Sequence, residues 1–157
     1  MRTLLLAMTA SALACGSGTE PTPPNGANPN AVAVVFSGGT VSAEVAATFA
    51  RRETGLMNRT SIAADSGMLF VWATDRNQST GAFHMVNTHF DLAIAFIDAN
   101  KKVINVAEMM KETATLHFAT APFRYALEAP KGWFAAHGVV AGATATFTLP
   151  AGLIIDP

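Results

Sequence analysis

The sequence predicts a mainly β fold, a compact antiparallel sandwich or small barrel carrying two short helices. Three observations carry that expectation. Short apolar or alternating runs recur along the chain, separated by turns rich in Gly, Pro and Asn. Helical signals are confined to two brief segments. Most connections between successive runs are too short for the crossover helices of a parallel α/β sheet. Half of the 157 residues are hydrophobic, enough for a core in one domain.

Ala31 to Phe36 is a continuous apolar run followed by the turn Ser37-Gly38-Gly39. Thr40 to Val45 then alternates, with Val41, Ala43 and Val45 on one face and Thr40, Ser42 and Glu44 on the other, which completes a hairpin. Thr48 is placed to cap a short helix running to about Met57, with Phe49, Leu56 and Met57 at helical spacing. Gly67 to Trp72 and Ala82 to Met85 read as strands. Leu92 to Ile97 and Val103 to Ala107 flank the hairpin turn Asp98-Ala99-Asn100-Lys101. Arg124 to Ala129 is a further strand, and Pro130 opens a short helix closed by Gly138. Thr144 to Leu149 is the last strand, its threonines opposite Ala145, Phe147 and Leu149.

The N-terminal segment has a different character. Residues 1–14 place Arg2 before an apolar and small-residue run from Leu4 to Ala14, which is shorter than the roughly 20 residues of a membrane span. It fits an export signal. Ala12-Leu13-Ala14-Cys15-Gly16 looks like a lipobox, although Ala12 stands where leucine is usual. An ordinary cleaved signal beside an accidental cysteine is the competing reading. Cys15 is the chain's single cysteine, so disulfides and thiolate metal sites are excluded from the folded part. Residues 15–30 form a lipidated cysteine and a flexible tether, and a single β-rich domain occupies 31–157. Two acyl chains on Cys15 would hold the protein on a membrane. Gly16, where Asp would signal inner-membrane retention, directs it to the periplasmic side of the outer membrane or the cell surface.

Removing Arg2 from ten basic residues leaves nine against eleven acidic, and no basic patch interleaved with aromatics appears. Nucleic acid is therefore not an expected partner. Nor does the chain contain a nucleophile elbow, a phosphate-binding loop or a zinc-protease helix.

His84, His89 and Asp91 are the metal candidates. In a strand, residues five apart point to opposite faces, so His84 and His89 converge only if Asn87-Thr88 turns sharply. Structural or solvent-facing histidines are the alternative. Glu108, Glu112, His117 and Glu128 are candidate acids and bases, useful where environments separate their pKa values. Trp72, Trp133, Phe83 and Phe90 could supply apolar contacts to a ligand, although aromatics in a small domain usually belong to the core.

Four ordered blocks then carry a family resemblance. They are Arg52-Glu53-Thr54-Gly55-Leu56-Met57-Asn58-Arg59, Gly67-Met68-Leu69-Phe70, Phe83 to Thr88 with Ile94 to Asp98, and Tyr125 to Pro130 with Gly132-Trp133-Phe134 and Gly138. From about Val41 to Phe147 the chain resembles the domain of unknown function (DUF) 192 family. The resemblance implies a mostly antiparallel, jelly-roll-like sandwich, often exported, and no established activity. The family's third block usually reads Phe-Trp-Met-Lys-Asn-Thr and later Pro-Leu-Asp-Ile. Here His84 replaces the Trp, Val86 the Lys, Asp91 the Pro and Ala93 the Asp. Joint loss of an ion pair would be nearly neutral, whereas loss of a working site would remove its activity. The residues that match the family and could touch a ligand are Arg52, Arg59, Asn87, Thr88 and Glu128, with His84 at a departing position. The same residues have scaffold alternatives, the arginines on loop carbonyls or on Glu128, and Asn87 and Thr88 on loop backbone.

The function expected from these readings is an uncharacterised, envelope-anchored lipoprotein domain. It would be a non-catalytic binding or interaction module, with the membrane and an envelope ligand or protein as partners and no cofactor. The alternative is a metal-assisted or acid–base hydrolase using His84, His89 and Asp91.

Overall fold

The computed structural model describes residues 31–77 and 79–157, so the expected export signal, Cys15 and the expected tether lie outside the described residues. The fold is mainly β. One six-stranded mixed sheet has the order β1-β2-β3-β6-β4-β5, from β1 (Ala31–Phe36), β2 (Gly39–Ala46), β3 (Ser66–Arg76), β4 (Leu92–Ile97), β5 (Val103–Met109) and β6 (Phe123–Pro130). Two short helices, α1 (Phe49–Thr54) and α2 (Trp133–Ala136), accompany it. The sheet is open, and the arrangement is sandwich-like rather than a closed barrel. β2 and β3 pair in parallel through the crossover that contains α1, and every other strand pair is antiparallel.

Both faces of the sheet are covered, and strand composition follows from that. Every residue of β4 is buried: Ala93, Ala95 and Ile97 face one core, and Leu92, Ile94 and Phe96 face the other. Such a strand must be apolar throughout, as Leu92-Ala93-Ile94-Ala95-Phe96-Ile97 is. β3 divides in the same way, Leu69 and Val71 against Met68, Phe70 and Trp72. The first face is closed by α2 and the C-terminal chain, which contribute Trp133, Phe134, Ala145 and Phe147. The second is covered by Leu56, by Phe83 and Met85, and by Ala119. In the centre of the sheet β3 and β6 approach so closely that a Cβ on Gly67 would lie 2.1 Å from the Glu128 carbonyl oxygen.

Two expected strands take another form. Ala82 to Met85 makes an isolated bridge, Phe83 with His117, and Thr144 to Leu149 makes isolated bridges from Thr146 to Val35 and from Thr144 to Lys102. Both segments do alternate, burying Phe83 and Met85 or Ala145 and Phe147. Alternation reports one-sided burial of an extended chain, with or without a continuous ladder. The first segment bridges only to His117, and the second bonds β1 at Val35 and the chain entering β5 at Lys101 and Lys102 through single residue pairs. The first helix stops at Thr54, short of Met57, because Gly55 adopts φ 49° and its N–H donates back to the Arg51 carbonyl. Thr48 caps it as expected, its hydroxyl accepting from the Arg51 N–H. Pro130 ends β6 and the second helix starts at Trp133. The turn at Asp98–Lys101 forms as predicted, with Lys101 at φ 63°.

Candidate functional site

β6 places a glutamate where an apolar residue would be expected. Glu128 lies directly opposite Met68 of β3 and Ile94 of β4, and so shares their apolar face of the sheet. Its residue is 5% exposed, and its carboxylate has no hydrogen-bond or ion-pair partner among the described residues. Burial pushes the carboxyl up to about 8, since the charged form loses its water and gains nothing in return. A group of this kind is costly to a core unless something satisfies it.

Glu128 borders a cavity of about 250 Å3. One wall is α1 and its exit turn, including Phe49, Arg52, Leu56 and Met57, and β3 contributes Phe70, Trp72 and Arg76. The opposite wall is the segment from Thr80 to Thr88, with Gly81, Phe83, His84 and the 4% exposed Thr88. Phe83 packs edge-on against Phe70 and Trp72, with ring centroids 5.0 and 6.1 Å apart. The mouth carries Glu53, Thr54 and the 63% exposed ring of Phe49.

Arg52 holds the α1 wall in place. Its guanidinium donates to the carbonyls of Ala47, of Val71 at 3.0 Å, of Asp156 at 3.1 Å and of Pro157 at 2.9 Å. It also lies over the Trp72 ring, 5.4 Å from the centroid. Helix, sheet and C-terminal chain therefore meet on one side chain, and Asp156 adds a carboxylate oxygen that accepts from the Phe49 N–H at 2.7 Å. The predicted carbonyl-binding role of Arg52 is the one observed.

The other sequence candidates separate into two groups. Arg52, His84, Thr88 and Glu128 converge on the cavity, whereas Arg59 and Asn87 do not line it. Arg59 makes a two-pronged pair with Glu44, at 2.6 and 2.9 Å, and not with Glu128. Asn87 has φ 60°, and its carbonyl accepts from the Asn58 N–H, so it shapes a turn. His84 accepts from the Val86 N–H through Nδ1 at 3.3 Å, which leaves the proton of the neutral ring on Nε2.

The metal set of the alternative reading does not assemble. His89 bonds Glu112, while Asp91 accepts from the Lys111 N–H at 2.9 Å and from the Lys131 ammonium at 3.4 Å. Among the described residues no three His, Cys, Asp or Glu side chains form a cluster that could hold a metal ion. Glu108 accepts from the Gly132 N–H, which anchors the approach to α2. His117 has a buried Nε2 without a partner among the described residues, and burial lowers its pKa.

The family departures lie apart in environment. Val86 is 39% exposed, whereas Ala93 is completely buried in the closed-face core. Of the aromatic candidates, Trp72 and Phe83 line the cavity, Trp133 belongs to the opposite core, and Phe90 packs at the edge of the cavity-side core. Phe49, Phe70, Arg76 and Gly81 are cavity residues that the sequence reading missed. Their apolar or helical settings read as core or surface, and nothing local marks a ligand site.

Two solved structures resemble this fold. A Sinorhizobium meliloti protein described as a candidate transcription regulator has 26% identity and a TM-score of 0.67, over 74% of this chain and 91% of that one. A Novosphingobium aromaticivorans protein of unknown function has 28% identity and a TM-score of 0.67, over 74% of this chain and 83% of that one. No curated protein matches. The model of the DUF192 family, described as uncharacterized, matches residues 32–147, which include the sheet from Val32 onward and every cavity-lining residue but Pro157. The chain belongs to the DUF192 family.

Proposed function

We propose that this chain is a non-catalytic binding module of the cell envelope, holding a small ligand between α1 and the segment from Thr80 to Thr88. The observation that carries the reading is Glu128, a buried carboxyl on a cavity wall without a partner among the described residues. Buried polar groups are normally satisfied, so a ligand is the natural missing partner. The volume, about 250 Å3, lies just below the usual range of roughly 300–1,000 Å3 for drug-sized ligands and suits a single ring or a short chain.

Binding is favoured over catalysis by the composition of the cavity. Among the described residues, its hydroxyls and its imidazole are not hydrogen-bonded to one another or to Glu128, whereas an activated nucleophile is held within reach of its base. The name given to the Sinorhizobium protein suggests nucleic-acid work for that protein. Here Arg51 and Arg59 pair with Glu44, Arg124 with Asp75 and Lys131 with Asp91. Cations tied up in this way favour a small ligand over nucleic acid.

The lipid on Cys15 would hold the module at the outer membrane, on the periplasmic side or the cell surface, with residues 16–30 as its tether. Labelling with a radioactive fatty acid tests that part, and wild-type protein as unlabelled as Cys15→Ala would refute it. Thermal-shift screening of the full chain against small envelope metabolites tests the cavity. A ligand at about a hundred times its Kd adds roughly 2.7 kcal/mol, or about 10 °C in a domain of this size. Silence across a broad panel would count against binding.

A further inference from the structure

The chemistry of the missing partner can be narrowed from what surrounds Glu128. β3 and β4 present Met68 and Ile94 beside it. Besides Glu128, the ionisable side chains facing the cavity are Arg52 and Glu53 from α1, Arg76 from β3 and the imidazole of His84 from the opposite wall; β4 contributes none, and the Pro157 backbone oxygen that accepts from Arg52 also borders it. Both guanidiniums are engaged elsewhere, Arg52 on four carbonyls and Arg76 on the Thr80 carbonyl at 2.7 and 3.2 Å. Burial accounts for the upward push on the Glu128 carboxyl, with no cation among the described residues opposing it.

That leaves a lone carboxyl in a cavity that Phe70, Trp72 and Phe83 also line, their rings packed edge to face on one another. Aromatic rings attract cations, and Trp72 already carries the Arg52 guanidinium. An anionic ligand would meet like charge at Glu128. A neutral one would use a hydrogen bond that an uncharged side chain in that position could equally provide.

Resting on the binding reading above, we infer that the ligand is a small organic cation that enters ammonium end first. Its N–H groups pair with the Glu128 carboxylate, and its apolar part packs against Phe70, Trp72 and Phe83. Thr88 adds a hydroxyl to the cavity lining. The carboxyl must lose its proton to form the pair, so binding releases a proton below about pH 8 and tightens about tenfold per pH unit there.

Isothermal titration of the full chain with a primary-amine panel tests this, using methylamine, benzylamine and 1,4-diaminobutane, with benzyl alcohol as a neutral counterpart to benzylamine. Titrations at about pH 6, 7 and 8, in buffers of different ionisation heat, count the protons released. At least one amine is expected to bind, tightening tenfold per pH unit and releasing about one proton at the acid end. Benzyl alcohol should bind at least tenfold more weakly than the best amine and without pH dependence. Glu128→Gln should weaken the amine at least a hundredfold, and His84→Asn, which removes the imidazole on the opposite wall, should leave the pH slope in place. Proton release by the wild type stands as a separate readout should Glu128→Gln fold poorly. Benzyl alcohol binding as well as the best amine, or unchanged amine binding by a folded Glu128→Gln chain, overturns the cation assignment and leaves the cavity reading standing. Failure of every amine overturns the assignment as well, and if the metabolite screen is also silent, both fall.

Discussion

The two faces of the sheet are built from similar side chains and finished differently. On one, Trp133, Phe134 and Phe36 pack with ring centroids 5.5 to 6.3 Å apart, and the indole N–H donates to Asp65 at 2.9 Å. On the other, Phe70, Trp72, Phe83, Phe96 and Phe123 form an aromatic cluster of the same kind, with centroids 5.0 to 6.3 Å apart. The first cluster closes on itself with its polar atom paired. The second ends at a cavity, and Glu128 and the His117 Nε2 on that side lack partners among the described residues. Hydrophobic packing builds both faces, and the unsatisfied polar groups tell them apart.

The comparison breaks most visibly on the closed face. Trp133→Ala should cost roughly 3–5 kcal/mol, because it removes a buried ring and leaves Asp65 without its donor. Urea denaturation measures this, and a loss below about 1 kcal/mol would mean that the face is less tightly closed than its geometry indicates.

A pH series sharpens the contrast on the cavity face. Glu128 ionises near 4.5 in an unfolded chain and at about 8 in the folded one. Between those values the folded state holds more protons, so stability should be complete below about 4.5, fall as pH rises and level off above about 8. Glu128→Gln should remove this decline and be more stable than wild type at about pH 9 by on the order of 3 kcal/mol. Equal pH slopes for the two proteins would show that the carboxyl finds a partner within the folded chain.

Arg52→Ala should cost roughly 2–3 kcal/mol by leaving several carbonyls without a donor. Hydrogen exchange should quicken in α1 and leave α2 unchanged. Equal quickening of both helices would show that the two faces are coupled. The smallest expected effect belongs to Glu44, whose carboxyl is held below its usual range mainly by the hydrogen bond from Arg59. Its contribution should be present at neutral pH and fade as pH falls below about 4.5. Glu44→Gln should cost no more than about 1 kcal/mol at pH 7 in thermal melts, since the pair is partly solvated.

Much of the architecture was legible locally. Ala31–Phe36 and Leu92–Ile97 are strands over the expected residues, and Asp98–Lys101 turns as its composition requires. Expectation failed where an extended segment covers the sheet without joining it. Phe83 and Met85 alternate with His84 and Val86 as strand residues do, because one-sided burial produces the same period whether or not a ladder forms. The parallel pairing of β2 with β3 was equally hidden, since a crossover through one short helix leaves no mark on the composition of either strand. At the site, Arg52, His84, Thr88 and Glu128 were candidates that do meet. Arg59 was assigned to the same group, but its reach to Glu44 depends on where the turn after α1 points.

By itself the sequence determined the β-rich class, most strand positions and the family. It also named Glu128, in Tyr125-Ala126-Leu127-Glu128-Ala129-Pro130, among several candidate acids, bases and ligand contacts. Only the tertiary structure decided what that glutamate faces. A strand buried on both sides carries no alternation to label its faces. Whether Glu128 lies in sealed packing or beside a cavity is set by how α1 and the Thr80–Thr88 segment pack over it, contacts made by residues far away along the chain.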